Sequence, residues 1–245
     1  MPHTIKAILF DKDGTLLDFD ATWATPQEAA ATWAADGDHR LAADLLVTGG
    51  MDPATRKTAS GSLFAAGNAA EIARAFIARG AAKDAANLTA KLDEIFANGM
   101  KTSVLLPGLK DAVRQLDEAG FRMGVASSDS EASIRLFLER AGLTGYMRFI
   151  AGYDSGFGPK PEPGMIHAFA AALRVPVPSI AMVGDNTHDL EMARAAGAGL
   201  AVGVLSGTGT RVDLTQLADV ILESVADLPG YLSRSGCQPA SSMLP

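Results

Sequence analysis

Ile5-Lys6-Ala7-Ile8-Leu9-Phe10-Asp11-Lys12-Asp13-Gly14-Thr15-Leu16-Leu17-Asp18 joins a short apolar run to two carboxylates and a glycine. The run over residues 7–10 reads as a buried parallel strand. Open α/β sheets place ligands at the carboxyl ends of such strands, and Asp11 and Asp13 both leave that end. Two acids so close repel unless a cation sits between them. One then suits attack or metal binding and the other proton transfer. Gly14 allows a sharp turn and a close approach to a ligand. The bland alternative is a solvated acidic turn. A calcium loop is excluded, because it needs further oxygen ligands and a late Glu, whereas Thr15, Leu16 and Leu17 follow here.

Outward from this stretch, the 245 residues allow one large domain, or a core with a smaller insert. Hydrophobic residues make up 48% and charged residues 20%, as in ordinary folded proteins. The net charge of −7, without a Lys/Arg block, argues against nucleic acid and anionic membrane as partners. Cys237 is the only cysteine, so an internal disulfide and a cysteine zinc cluster are excluded. Residues 5–10 are too short for a signal peptide, and residues 195–205, the longest uncharged apolar stretch, are too short to span a bilayer. A cytoplasmic protein is expected.

Residues 19–100 are alanine-rich and poor in Val/Ile runs, which predicts a block of about four helices inserted after the first strand. Thr25-Pro26-Gln27-Glu28 reads as a capping box opening a helix, and Asp52-Pro53 repeats a cap-then-proline pattern. Residues 48–62 read as a loop or short helix. Asn68 and Asp84 open two further helices, the first stopped by Gly80. From Leu105 strands and helices alternate: strands over 121–126, 148–151, 180–183 and 199–204, with an edge strand over 219–222. This predicts a doubly wound parallel sheet, a Rossmann-like α/β core, with an inserted helical cap. The expected division is 1–18 with 101–232 as core, 19–100 as cap and 233–245 as a loose tail.

Three more strand ends carry polar residues. At Ser127-Ser128, a hydroxyl and helix-start amides can hold an anion. Ser128 also fits a capping box over 128–131, which leaves Ser127 as the better ligand. Lys160 stands between Pro159 and Pro161, which stiffen its backbone, though a loop lysine is by default a solvated charge. Gly184-Asp185 ends another strand, and Asp189 falls in the next helix's first turn, where capping alone would also explain it. His188 reads as exposed, because the oxygen donors around it suit magnesium rather than zinc.

With Asp11-Lys12-Asp13-Gly14-Thr15-Leu16, Ser127, Lys160-Pro161 and Gly184-Asp185 with Asp189 in this order, the chain resembles the haloacid dehalogenase superfamily, in its phosphoglycolate phosphatase-like branch. The resemblance covers residues 5 to about 225, the insert standing where that branch has its helical cap. Dehalogenases lack the second aspartate and phosphonoacetaldehyde hydrolases have alanine there, so Asp13 implies phosphoryl transfer. Lys12 replaces a commoner apolar residue and is expected to tune its surroundings.

The resemblance implies a phosphatase acting on a small phosphorylated metabolite, phosphoglycolate or similar. Asp11 would be the nucleophile and Asp13 the general acid and base. Mg²⁺ would sit between the Asp11 carboxylate, the Asp13 backbone carbonyl and Asp185. Lys160, Ser127 and Ser128 would hold the phosphate, with Gly14, Thr15 and Asp189 in support. Trp23 would line the entrance and Arg56 would meet a substrate carboxylate; the plain alternative for Arg56 is a surface arginine. A sugar-phosphate phosphomutase of the same family, a receiver-like phospho-aspartate protein and an inactive phosphate-binding scaffold are the competing readings. Oligomeric state is left open.

Overall fold

A computed structural model of the chain describes residues 4–237. β1 (Ala7–Phe10) is buried at every position. Successive strand residues face opposite sides of a sheet. Ala7 and Leu9 join a core with Met165, Phe169 and Met192, and Ile8 and Phe10 are equally closed to solvent on the other side. A strand covered on both faces carries an unbroken apolar run, and residues 7–10 are one.

The chain then forms a separate compact unit, Asp18–Val104. It holds α1 (Phe19–Ala34), α2 (His39–Gly49), β2 (Met51–Asp52), β3 (Lys57–Thr58), α3 (Leu63–Ala66), α4 (Ala69–Arg79) and α5 (Ala85–Gly99). Its own core is built on Ala30, Ala31, Leu45, Phe76, Leu88 and Leu92. The Asp18 amide donates to the Val104 carbonyl at 2.8 Å, closing the unit where the chain enters and leaves. The unit's edges fall at 17/18 and 104/105, against the expected 18/19 and 100/101.

Two local readings are corrected here. Thr25-Pro26 does not start a helix: α1 is capped by Asp18, whose side chain accepts from the Ala21 amide, and Pro26 lies buried inside it. A Cβ on Gly99 would lie 2.7 Å from Pro26 Cγ, so α5 packs on the proline ring and tertiary contact overrides the local signal. Asp52-Pro53 opens a turn, not a helix. Asp52 accepts from the Ala54 amide at 2.9 Å and the Thr55 hydroxyl at 2.8 Å, and β2 pairs antiparallel with β3. Asp and Pro favour turns as readily as helix starts, and no apolar period follows them. The insert is therefore five helices, one of a single turn, with a small hairpin.

From Leu105 the chain resumes the first unit with α6 (Leu109–Glu118), β4 (Arg122–Ala126), α7 (Glu131–Ala141), β5 (Met147–Ala151), α8 (Gly164–Leu173), β6 (Ile180–Gly184), α9 (Thr187–Ala196), β7 (Leu200–Val204), α10 (Arg211–Leu214), β8 (Val220–Leu222) and α11 (Leu228–Arg234). The sheet order is β5-β4-β1-β6-β7-β8, parallel throughout, and β8 is the edge strand foreseen. Phe10 pairs with Val125 on one side and Val183 on the other. The chain moves outward from β1 to β5, then returns to β1's other side. The crevice of an open α/β sheet lies at such a reversal. α11 takes in Ser233 and Arg234, which were expected in the tail; residues 238–245 lie outside the described residues. Among the described residues no helix is long and apolar enough to cross a membrane.

Candidate active site

Five adjacent strands deliver the site. Asp11 follows β1, and its amide continues the sheet by donating to the Val183 carbonyl at 2.8 Å. Ser127 follows β4, Lys160 lies in the connection after β5, Asp185 follows β6, and residues 205–210 follow β7.

Lys160 gathers the acids. Its Nζ donates to Asp11 Oδ1 at 2.6 Å and to Asp189 Oδ1 at 2.5 Å. All three side chains are nearly closed to solvent. Asp189 Oδ2 accepts from the Asn186 amide at 3.1 Å, so this residue caps α9 and holds Lys160 at once. Carboxylate oxygens of Asp11, Asp185 and Asp189 lie within 4.8 Å of one another.

The electrostatics follow from that crowding. Burial pushes the Asp11 carboxyl up to about 7; Asp189 and Asp13 add to the push and Lys160 opposes it. Burial, then Asp11 and Asp189, raise Asp185 well above the usual carboxylate range, against the pull of the Thr208 amide. For Lys160 burial works against the ammonium, but Asp11 and Asp189 outweigh it and raise its pKa. Ionising all three carboxylates against one ammonium would leave two negative charges uncompensated. That deficit and an all-oxygen donor set fit a hard divalent cation. Asp11 and Asp185 could hold it, because among the described residues no hydrogen bond reaches Asp11 Oδ2 or Asp185 Oδ1. Both Asp189 oxygens are already engaged.

Asp13 stands differently. Its carboxylate is not in the cluster of three; it pairs with Lys12 Nζ at 3.1 Å. Lys12 is completely buried and also donates to Asp129 Oδ2 at 2.7 Å. Asp129 in turn accepts from the Ser130 amide and the Ser133 hydroxyl. Burial disfavours the Lys12 ammonium, yet Asp129 and Asp13 raise its pKa.

Ser127 is buried, and its hydroxyl accepts from the Asp129 amide at 3.1 Å. Ser128 is exposed and caps nothing: Ser130 caps α7, accepting from the Ser133 amide. Capping needs the residue directly before the helix, and α7 starts at Glu131. Gly14 takes φ +79°, and a Cβ there would lie 2.6 Å from Asp185 Oδ2. Thr15 is buried with its hydroxyl unpartnered. Trp23 and Arg56 belong to the other unit. Trp23 packs edge-on against Phe96, with ring centroids 5.7 Å apart. Arg56 gives its fork to Glu28 at 2.8 and 2.9 Å and a further bond to Thr25, so its guanidinium is committed within its own unit.

Two features escaped sequence reasoning. Asp129 gives no sign of being Lys12's partner, because the pairing spans 117 positions. Ser206-Gly207-Thr208-Gly209 was passed over, although a run of small residues directly after a strand is a visible signal. The Thr208 amide donates to Asp185 Oδ2 at 2.7 Å and the Ser206 hydroxyl to the Gly14 carbonyl at 2.7 Å.

Known proteins bear on this arrangement. A phosphoglycolate phosphatase of Rhodospirillum rubrum is 30% identical, covering 98% of this chain and 99% of its own. The probable phosphatase IndB of Dickeya dadantii is 36% identical over 52% of this chain and 55% of its own. A HAD family hydrolase of Deinococcus radiodurans, crystallised with phosphate and sodium, superposes with a TM-score of 0.71. It is 23% identical, over 97% of this chain and all of that one, and shares the fold. Residues 5–197 match the haloacid dehalogenase-like hydrolase profile. With that match over most of its length, the chain belongs to the haloacid dehalogenase-like hydrolase family.

Proposed function

We propose that this protein is a Mg²⁺-dependent phosphatase that hydrolyses a small phosphate monoester, phosphoglycolate or a similar compound, through an aspartyl-phosphate on Asp11. One observation carries the reading: β1 presents Asp11 with one oxygen held by Lys160 and the Asp185 carboxylate beside it. The similarity to phosphoglycolate phosphatases supports the substrate class.

Mg²⁺ would be held by the carboxylates of Asp11 and Asp185 and the backbone carbonyl of Asp13, and when bound it supplies Lewis-acid charge for the phosphate oxygens. The Asp11 carboxylate attacks phosphorus as the ester oxygen departs, and Asp13 gives that oxygen its proton. Asp13 then takes a proton from the water that attacks the aspartyl-phosphate, releasing inorganic phosphate and restoring Asp11. Lys160 offsets the repulsion between carboxylate and phosphate; at 4 Å like charges cost about 4 kcal/mol at an effective dielectric of 20. Ser127 positions the transferring oxygens.

The test is phosphate release from a panel of monoesters with Mg²⁺. Asp11→Asn is expected to leave almost no turnover, and Asp13→Ala to lower it by about 10²–10⁴-fold. Near wild-type release by Asp11→Asn would rule out the covalent route.

A further inference from the structure

Around Asp185 the chain is closed tightly by residues of two other segments. Its Oδ2 accepts from the Thr208 amide at 2.7 Å and the Thr208 hydroxyl at 3.3 Å. A Cβ on Gly207 would lie 2.0 Å from that same oxygen, and one on Gly14 2.6 Å from it and 2.7 Å from Gly207 Cα. A Cβ on Gly209 would lie 1.9 Å from the Asp185 backbone oxygen. The Ser206 hydroxyl ties this loop to the Gly14 carbonyl at 2.7 Å. Three segments far apart in sequence thus meet at one carboxylate oxygen, with no room for a methyl group.

We propose that residues 206–209 form a strap whose residues Gly207 and Thr208 are positioning residues, fixing Oδ2 of Asp185 so that Oδ1 is set in advance for a divalent cation. An outer partner that orients a ligand typically contributes 10–100-fold to metal affinity. The donation to Oδ2 also offsets part of the burial cost of a carboxylate awaiting its ion. Gly207 and Gly209 do not take the left-handed backbone that excludes side chains, unlike Gly14 at φ +79°. Their reason for being glycine is therefore space beside Asp185, and a methyl at Gly207 would meet the Asp185 side chain first.

The inference rests on the proposed function only in its choice of metal, and it is tested without substrate. Metal-stripped full-length protein is titrated calorimetrically with Mn²⁺ and then Mg²⁺, alongside thermal melts of the metal-free form. Gly207→Ala is expected to weaken binding about 10–100-fold, while its crowding lowers the metal-free melt without preventing folding. Thr208→Val, which removes the hydroxyl and keeps the amide, is expected to weaken it less. Should Gly207→Ala fail to fold, Thr208→Val decides: unchanged affinity overturns the proposal and reduced affinity supports it. Wild-type affinity in Gly207→Ala overturns it, as does a wild type that binds neither ion. A wild type that binds Mn²⁺ but releases no phosphate overturns the phosphatase reading and leaves the strap standing.

Discussion

At the scale of the residue, Lys12 is the feature that sets this site apart. A completely buried ammonium lies between Asp13 and Asp129. Removing one partner of a buried ion pair costs about 3–5 kcal/mol. Asp129 keeps 29% of its side chain exposed, so Lys12→Met is expected to cost less, about 2–4 kcal/mol in urea unfolding at pH 7. The pH dependence follows from both partners. Burial opposes the Asp129 charge, but Lys12 and its hydrogen bonds hold its carboxyl below the ordinary 3.8. Its contribution is present above that value and is lost as pH falls through the lower folded one. The Lys12 pKa is raised above its ordinary 10.5, so its contribution persists up to that value and fades only above it. The gap between wild type and Lys12→Met should stay wide from about pH 5 to 10 and narrow in acid; a gap unchanged in acid would show the pair contributes nothing. Lys12 was legible as unusual, but its partner was not, because no local pattern reports a contact across two strand ends.

At the scale of the element, the start of α9 shows one side chain serving two structures. Asp189 completes the capping box with Asn186 through one oxygen and holds Lys160 through the other. Asp189→Asn keeps an oxygen for the Asn186 amide but loses the charge facing Lys160. It should melt below wild type, since a hydrogen bond to a charged group is worth about 1.5–3 kcal/mol, and release phosphate at least tenfold more slowly because Lys160 loses one of its two anchors. Asp189→Ala loses the cap as well and should be about 1 kcal/mol less stable than the asparagine variant. Equal stability of the two variants would mean the cap is idle. Elements were legible where a local cause acts alone. The apolar runs before Asp11, Ser127 and Asp185 gave the strands, and Asn68 and Gly80 bounded α4. Reading failed where distant packing decides: Pro26 sits inside α1 because Gly99 makes room for its ring. Nor does a sequence report the direction of side chains in the acid cluster, which takes Asp13 to Lys12 and leaves Asp189 beside Asp11 and Asp185.

At the scale of the whole molecule, the chain crosses between two units at only two points, Leu17/Asp18 and Val104/Leu105. Each unit ties its own ends. Leu17 bridges Leu105 in the first, and the Asp18 amide bonds the Val104 carbonyl in the second. Each has its own buried core, the condition for independent cooperative unfolding. The acids that could hold an ion all lie in the first unit, and a ligand stabilises only what it binds, by about 2.7 kcal/mol at a hundred times its dissociation constant. Calorimetric melts of the full chain should therefore resolve two transitions, of which added Mg²⁺ raises one. A fragment of residues 18–104 should melt cooperatively at a temperature indifferent to Mg²⁺. A single transition rising as a whole with Mg²⁺, together with an unfolded 18–104 fragment, would show instead that the insert borrows its stability from the sheet, and that the two cores fold as one.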